Sequence, residues 1–266
     1  MVNRLRLLHD DLGAAVELPP EGPARIVSLV PSLTEAVALT APERLVGATD
    51  WCTHPADLEV ARVRGTKNPD LAAIAALRPD LVLCNQEENR RLDVERLRER
   101  GIPVWVTVVE SLDGSLAALR RVFVEVLAGD APGWLLQAEQ VWAPQEPVRR
   151  RVAVPIWRDP WMVVGGRTYT GDLVRRLGFA NAFDDPDAGR YPHVDLDRIR
   201  AEAELVILPD EPYAFGPDDG PECFTATDGS PAIDTVCVDG RDLTWYGPAM
   251  VAARARLEEA LVPWRG

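Results

Sequence analysis

The sequence predicts an α/β protein of two Rossmann-like lobes with parallel sheets, joined by a helical backbone connector. Three observations predict it. Short apolar runs alternate with helix-patterned stretches along most of the chain, the signature of parallel sheets covered on both faces. The same order recurs in the second half. Between the halves lies a stretch of helical pattern closed by Pro144 and Pro147. The lobes are expected over 1–110 and 148–266, with the connector over 111–147.

The first lobe opens with the β-rich run Arg25 to Val30. Pro31-Ser32 breaks it, and a helix pattern follows from Leu33 to Leu39, with Thr34 and Glu35 in its first turn. A second strand, Leu45 to Ala48, leads into Asp50-Trp51-Cys52-Thr53-His54-Pro55. Asp70 to Leu77 reads as a helix, Asp80 to Cys84 as a strand, and Asn85-Gln86-Glu87-Glu88-Asn89 as a loop. A charged helix over about Leu92 to Arg100 is stopped by Gly101 and Pro103. The strand Val104 to Val108 closes the lobe.

The connector is expected as one helix over about Leu116 to Leu127, a break at Ala131-Pro132-Gly133, and a second helix to about Trp142. The second lobe then repeats the plan. Arg151 to Ile156 is a strand, Trp157-Arg158-Asp159-Pro160-Trp161 a loop, and Thr170 to Leu177 a helix ended by Gly178. Asp195-Leu196-Asp197-Arg198-Ile199 parallels Asp70-Leu71-Ala72-Ala73-Ile74. Glu204 to Leu208 parallels Asp80 to Leu83, and Pro209-Asp210-Glu211-Pro212-Tyr213 takes the place of the Asn85 loop. Thr235 to Val238 is the last strand, followed by Trp245-Tyr246.

Composition narrows the classes of function. Hydrophobic residues make up 47% of 266 residues, enough for real cores. A formal charge of −13 argues against nucleic-acid binding and against docking on an anionic membrane, both of which need clustered Lys and Arg. No apolar run is long enough to span a bilayer. The first residues, Met1 to Asp11, show basic groups without an apolar signal region. The chain as written is therefore expected in the cytoplasm, and outside it if a signal has been removed. The four cysteines, Cys52, Cys84, Cys223 and Cys237, form no C-x-x-C pair and are expected as free thiols.

Open parallel sheets bind ligands beyond the carboxyl ends of their strands. In this chain those ends are rich in aromatics: Trp51, Trp157, Trp161 and Trp245 fall in post-strand loops, joined by Tyr213 and Tyr246. Aromatic walls with a few polar groups make a small-molecule pocket. The polar groups of the same loops are Cys52, His54, Asn85, Gln86, Glu87, Asn89, Arg158, Asp159 and Glu211. Cys52 and His54 form a C-x-H pair that could ligate a soft metal with Glu87 or Glu211, or serve as nucleophile and base; the competing reading is a buried thiol beside a hydrogen-bonded imidazole. With three histidines in all, a His-rich zinc site is excluded. No Walker or G-x-S-x-G pattern occurs, and Gly165-Gly166 reads as a turn.

The run Arg25-Ile26-Val27-Ser28-Leu29-Val30-Pro31-Ser32-Leu33-Thr34-Glu35 resembles the opening of class III substrate-binding proteins of ABC importers, the helical-backbone metal receptors for cobalamin, siderophores and haem. The resemblance continues through Gly65-Thr66-Lys67-Asn68-Pro69, Leu77 to Val82, Gly101 to Val104, Tyr191-Pro192-His193-Val194, and Asp239-Gly240 through Gly247. It is similar above all to the cobalamin-binding branch. It implies a corrinoid or other metal chelate held in a cleft between the lobes, no required cofactor and no catalysis. By position, Pro31, Ser32 and Trp51 match cleft-lining residues, Asn85 falls where relatives place an aromatic, Trp157 and Trp161 lie in a pocket-lining loop, and Trp245 lies in the final one. It also implies a permease partner, docked through one acidic residue per lobe. Asp197 matches the second-lobe position, while Ala72 stands at the first. The alternative is a cytoplasmic relative without a transporter, an enzyme or metal-handling protein using Cys52, His54 and Glu87.

Overall fold

The computed structural model describes residues 5–225 and 232–264; Met1–Arg4, where the segment read for an export signal begins, lie outside the described residues. The chain divides into two compact units. One comprises Met1–Val109, Asp113–Gln137 and Tyr246–Pro248; the other comprises Glu110–Leu112, Ala138–Trp245 and Ala249–Gly266.

The first unit begins with an antiparallel hairpin, β1 (Arg6–His9) and β2 (Ala15–Leu18). Its turn is organised by buried Asp10, whose Oδ1 accepts from the Leu12 and Ala14 N–H groups while Oδ2 pairs with Arg98 at 2.6 Å. There follow β3 (Ile26–Ser28), α1 (Pro31–Thr40), β4 (Leu45–Ala48), β5 (Ala61–Arg62), the short hairpin β6 (Arg64–Gly65) and β7 (Asn68–Pro69), α2 (Leu71–Ala76), β8 (Leu81–Asn85), α3 (Arg91–Glu99) and β9 (Val104–Thr107). The main sheet is parallel, with order β5-β4-β3-β8-β9. All five β8 residues are buried, as expected of a strand covered on both faces. Helix starts follow local chemistry: Pro31 fills the first position of α1, where no N–H is needed. Asp70 caps α2 by accepting from the Ala72 and Ala73 N–H groups.

The expected connector forms no body of its own. α4 (Leu112–Arg120) starts four residues before the expected helix and continues into a π-helical turn over Arg121–Val126. Phe123 lies edge-on to Trp134, 5.4 Å between centroids. Trp134 in turn donates to the Thr40 hydroxyl at 2.9 Å and Arg44 to the Leu127 carbonyl at 2.9 Å, contacts that hold Asp113–Gln137 to the first unit. The boundary falls inside α5 (Gly133–Trp142), because Trp142 is fully buried in the second unit, its indole N–H donating to the Met250 carbonyl at 2.8 Å.

The second unit contains β10 (Arg150–Ala153), the hairpin β11 (Pro155–Trp157) and β12 (Met162–Val163), α6 (Tyr169–Arg176), β13 (Phe179–Asn181), α7 (Leu196–Glu202), β14 (Leu205–Pro209), β15 (Asp234–Val238), α8 (Gly240–Thr244) and α9 (Met250–Leu261). Its sheet is also parallel, ordered β13-β10-β14-β15. The single strand expected over Arg151 to Ile156 is two strands in two sheets. Pro155 has no N–H to continue the ladder, and the chain turns instead into a hairpin with β12. Trp157 consequently ends a strand rather than lying in a loop, and Trp245 is the C-cap of α8. The β1–β2 hairpin, α8 and α9 were not expected.

Candidate functional site

Both sheets share one topological feature. In the first, β3 lies centrally, with β4 on one side and β8 on the other; in the second, β10 is flanked by β13 and β14. The chain thus reverses its direction of sheet building between β3 and β8, and between β10 and β14. A doubly wound sheet offers a ligand crevice at the carboxyl ends of such strand pairs.

In the first unit this crevice is finished by hydrogen bonds. Asn85, expected to line the pocket, is 2% exposed. Its Nδ2 donates to Thr107 Oγ1 at 3.1 Å, and its Oδ1 accepts the Glu87 N–H at 2.8 Å. Asn89 closes the loop from the other end, accepting the Asn85 N–H and donating to the carbonyls of Leu29 and Thr66. The Asn85 side chain therefore shapes the loop rather than facing outward. Gln86 is exposed, Glu87 half-buried, and the Glu87 carbonyl accepts from Lys67. Ser32 is buried at the start of α1 beside half-buried Pro31. The buried phenol of Tyr246 interacts with Thr107 and Ser32; burial, then the carboxylates of Glu88 and Glu87, push its pKa up. Gly247, at φ +150°, follows Tyr246 closely enough to α1 that a Cβ there would lie 3.2 Å from the Ser32 carbonyl. Trp51 stands apart, 67% exposed beyond β4. A Cβ on Gly65 would lie 3.2 Å from its indole nitrogen, so the glycine leaves room for the ring.

The C-x-H pair is not brought into a common site. Cys52 is fully buried, its sulfur 3.0 Å from Thr34 Oγ1 and 3.1 Å from Thr49 Oγ1, and burial pushes its thiol up. His54 is half-buried, its Nδ1 3.2 Å from Thr53 Oγ1. The segment does not run straight through the pair, since the Thr53 N–H bonds back to the Trp51 carbonyl at 3.0 Å and closes a tight turn at Cys52. Among the described residues, no three His, Cys, Asp or Glu side chains come together as a metal-holding group.

In the second unit the corresponding crevice is aromatic. Trp157 lies edge-on to Tyr213, 5.5 Å between centroids. Tyr213 meets Phe215 at 4.6 Å, Phe215 stacks on Trp161 at 5.9 Å, and Trp161 meets Phe224 edge-on at 5.6 Å. This chain of rings runs from the 45%-exposed Trp157 to the fully buried Phe224. Its inner end is anchored in a core with Val206, Leu208 and Ile199, and its outer end is available to a ligand. Sequence reasoning found Trp157, Trp161 and Tyr213 but missed Phe215 and Phe224; the signal was an aromatic recurring two residues after Tyr213.

The polar side of this cluster is equally ordered. Arg158 lies over the Trp161 ring at 5.6 Å. It pairs with Asp219, with Glu222 at 2.8 Å and with Asp159 at 3.4 Å. The Tyr213 hydroxyl donates to Asp219 Oδ2 at 2.9 Å, which, with burial, pushes the phenol's pKa up. Burial works to raise Glu222, but Arg158 and the Gly220 N–H outweigh it and hold the carboxyl down at about 2. Gly220, at φ +128°, permits that turn: a Cβ there would meet the Phe215 ring at 2.9 Å. Glu211, two residues past β14, packs against α8, and Trp245 caps that helix, both away from the ring cluster. The Thr244 hydroxyl is 3.1 Å from Glu211, and Trp245 is largely buried under the Arg241 guanidinium. Burial, partly offset by Thr244 and Trp245, pushes Glu211 up. A separate cavity of about 210 Å³ beside β13, lined by Phe183, Asp184 and Arg198, includes none of the expected site residues. On the helices that follow, Asp197 is exposed in the first turn of α7, paired with Arg200 at 3.0 Å, and Ala72 is exposed in the first turn of α2.

No protein-family model matches the chain. By sequence it is similar to the vitamin B12-binding protein of Pectobacterium carotovorum, 25% identical over 201 residues, covering 71% of this chain and 72% of that protein. It is similar also to the vitamin B12-binding protein of Vibrio campbellii, 27% identical over 200 residues, 70% and 71% of the two chains. By structure it resembles the periplasmic vitamin B12 binding protein of Vibrio cholerae, with TM-score 0.70, 16% identity, and coverage of 93% and 100%. A periplasmic heme binding protein from Pseudomonas aeruginosa superposes with TM-score 0.72, 20% identity, and coverage of 90% and 92%. The fold is that of these periplasmic vitamin B12- and haem-binding proteins, and the sequence is similar to vitamin B12-binding proteins, in agreement with the resemblance to class III substrate-binding proteins of ABC importers. Within that class, the relatives by sequence named above are vitamin B12-binding proteins, and the structural neighbours bind B12 or haem. These relatives are binding proteins rather than enzymes. Among the described residues, no helix is long and apolar enough to cross a membrane.

Proposed function

We propose that this chain is a binding receptor for a corrinoid, or a metal chelate of similar breadth, and that it catalyses no reaction. The observation that carries the reading is the ring cluster at the β10/β14 crevice. Its outer rings, Trp157 and Tyr213, are accessible, and its inner rings are fixed in the core. A wall of this kind packs against a flat macrocycle without ordering flexible side chains on binding. The macrocycle brings its own metal, so no protein ligand to that metal is required. The B12-binding relatives support a corrinoid within this class of ligand.

The periplasmic location of the solved neighbours supports the extracytoplasmic of the two compartments expected above. A permease partner follows from the same kinship, with Asp197 as its contact on α7. The test is a titration of the purified protein with cyanocobalamin, aquacyanocobinamide, haemin and a ferric siderophore, read by calorimetry. Saturable binding of a corrinoid at micromolar or tighter affinity is expected. Silence across the panel overturns the proposal.

A further inference from the structure

We infer that the second unit's aromatic wall selects a neutral or cationic chelate whose rim donates hydrogen bonds, and rejects one whose rim carries carboxylates. The inference rests on the binding reading above and names the charge class of the ligand.

Arg158 is the cation at the edge of the ring cluster, and it is already engaged. Asp219 and Glu222 both bond its Nη1, Asp159 approaches its Nε, and Cys223 Sγ lies 3.4 Å from its Nη2. One guanidinium among three carboxylates leaves the group with two negative charges in excess. A ligand carboxylate arriving here finds both Nη1 hydrogens taken and three carboxylates already gathered around a guanidinium that is only 19% exposed. To reach Nη1 it must displace Asp219 or Glu222, leaving that carboxylate without its partner, and to reach the remaining N–H groups it must approach against the net negative charge.

The carboxylates are held in place from the aromatic side as well. Asp219 accepts the Tyr213 hydroxyl, and Glu222 accepts the Gly220 N–H. They are thus fixed beside the rings and not free to swing away. The side chains of Asp219 and Glu222 remain about half exposed, and an ionised carboxylate has unused lone pairs. A rim of amide N–H groups would satisfy those lone pairs, whereas a rim of propionates would oppose them. The phenol of Tyr213, whose proton is engaged by Asp219, is likewise not presented as a phenolate to a ferric centre.

Charge is isolated from shape by comparing cyanocobalamin with its monocarboxylates, made by hydrolysing single peripheral amides, and by including aquacyanocobinamide and haemin. Each is titrated against the wild type and against Asp219→Asn/Glu222→Gln, at low salt and at about 1 M salt, with circular dichroism confirming the fold. At least one monocarboxylate is expected to bind about tenfold more weakly than cyanocobalamin, the scale of one added unit charge near a surface. That gap is expected to shrink in the double variant and at high salt. If all monocarboxylates bind as well as cyanocobalamin, or if the gap is the same in the double variant, the inference is overturned while corrinoid binding stands. Haemin binding more tightly than either corrinoid also overturns it. If no chelate binds, the inference and the proposed function fall together.

Discussion

The two units use the same parallel-sheet plan and finish it in opposite ways. At the carboxyl end of β8, Asn85 and Asn89 fold the following loop onto itself, and the crevice fills with hydrogen-bonded polar groups and the Tyr246 phenol. At the carboxyl end of β14, the strand ends in Pro209, and the next residues send Tyr213 and Phe215 into a wall of rings. The topology decides where a crevice lies; the few residues after each strand decide whether it is sealed from within or left as a surface for a ligand.

The largest effect that sharpens this contrast is on stability, in the first unit. Asn85→Ala strips partners from the Glu87 N–H and from the Thr107 hydroxyl and carbonyl at a buried position. A loss of about 2–4 kcal/mol is expected, from several buried hydrogen bonds lost together and a cavity left where the amide sat. Guanidinium denaturation measures it. A loss below about 1 kcal/mol would mean the loop does not depend on Asn85.

In the second unit the corresponding change falls on binding. Trp157→Ala removes the outermost ring, which is half exposed and touches Tyr213 by its edge. Chelate affinity is expected to fall roughly 10- to 100-fold, as for an aromatic anchor at a binding surface, while the denaturation midpoint moves little. The reverse pattern, a large stability loss with affinity intact, would make the ring cluster a core element and remove its claim to be a site.

Two carboxylates of the second unit carry the next effect, with opposite signs. Glu222 is held at about 2, against an ordinary value of 4.5. Its contribution to stability is fully present above pH 4.5 and is lost as pH falls toward 2, so Glu222→Gln flattens the acid limb of the stability profile. Glu211 is shifted upward by burial. The folded protein holds its proton more tightly than the unfolded chain, so stability declines as pH rises above 4.5 through the raised value. Glu211→Gln removes that decline. Equilibrium denaturation of both variants across pH 2–7 reads the two signs; curves parallel to the wild type would break the assignment.

How much of this was legible in the sequence follows from the range of the interactions. β8 and β14 are continuous buried runs, and Asp70 and Thr168 announce their helices by capping chemistry. Such signals are local; the strand–helix order was read from the apolar runs and helix patterns, while the two caps themselves went unread. The β1–β2 hairpin was missed because its four-residue strands are half exposed, and its turn depends on the distant Arg98. Asn85 was placed correctly at a strand end but read as lining a pocket. Its role is set by Thr107, 22 residues away, which nothing in the local pattern reveals. The tryptophans were legible as aromatic wealth at strand ends, yet position alone could not separate the exposed Trp157 from the buried Trp245. The Arg158 cluster escaped for the same reason: Asp219 and Glu222 lie more than sixty residues from the arginine they hold.

The smallest expected effect compares α2 with α7, which begin alike at Asp70-Leu71 and Asp195-Leu196 and then diverge at Ala72 and Asp197. The Asp197 side chain is 93% exposed and pairs with Arg200 one turn on. An exposed pair of this kind adds little to stability, and an acid in the first turn adds a small favourable interaction with the helix dipole. Asp197→Ala should therefore lower Tm, and Ala72→Asp should raise it, by no more than about 1 °C, with chelate affinity unchanged in both. A fall of several degrees in Asp197→Ala would show that the side chain supports α7 itself. The near-silent result is the informative one: it would leave the proposed permease contact open to an exposed acid that is present on one of two matched helices and absent from the other.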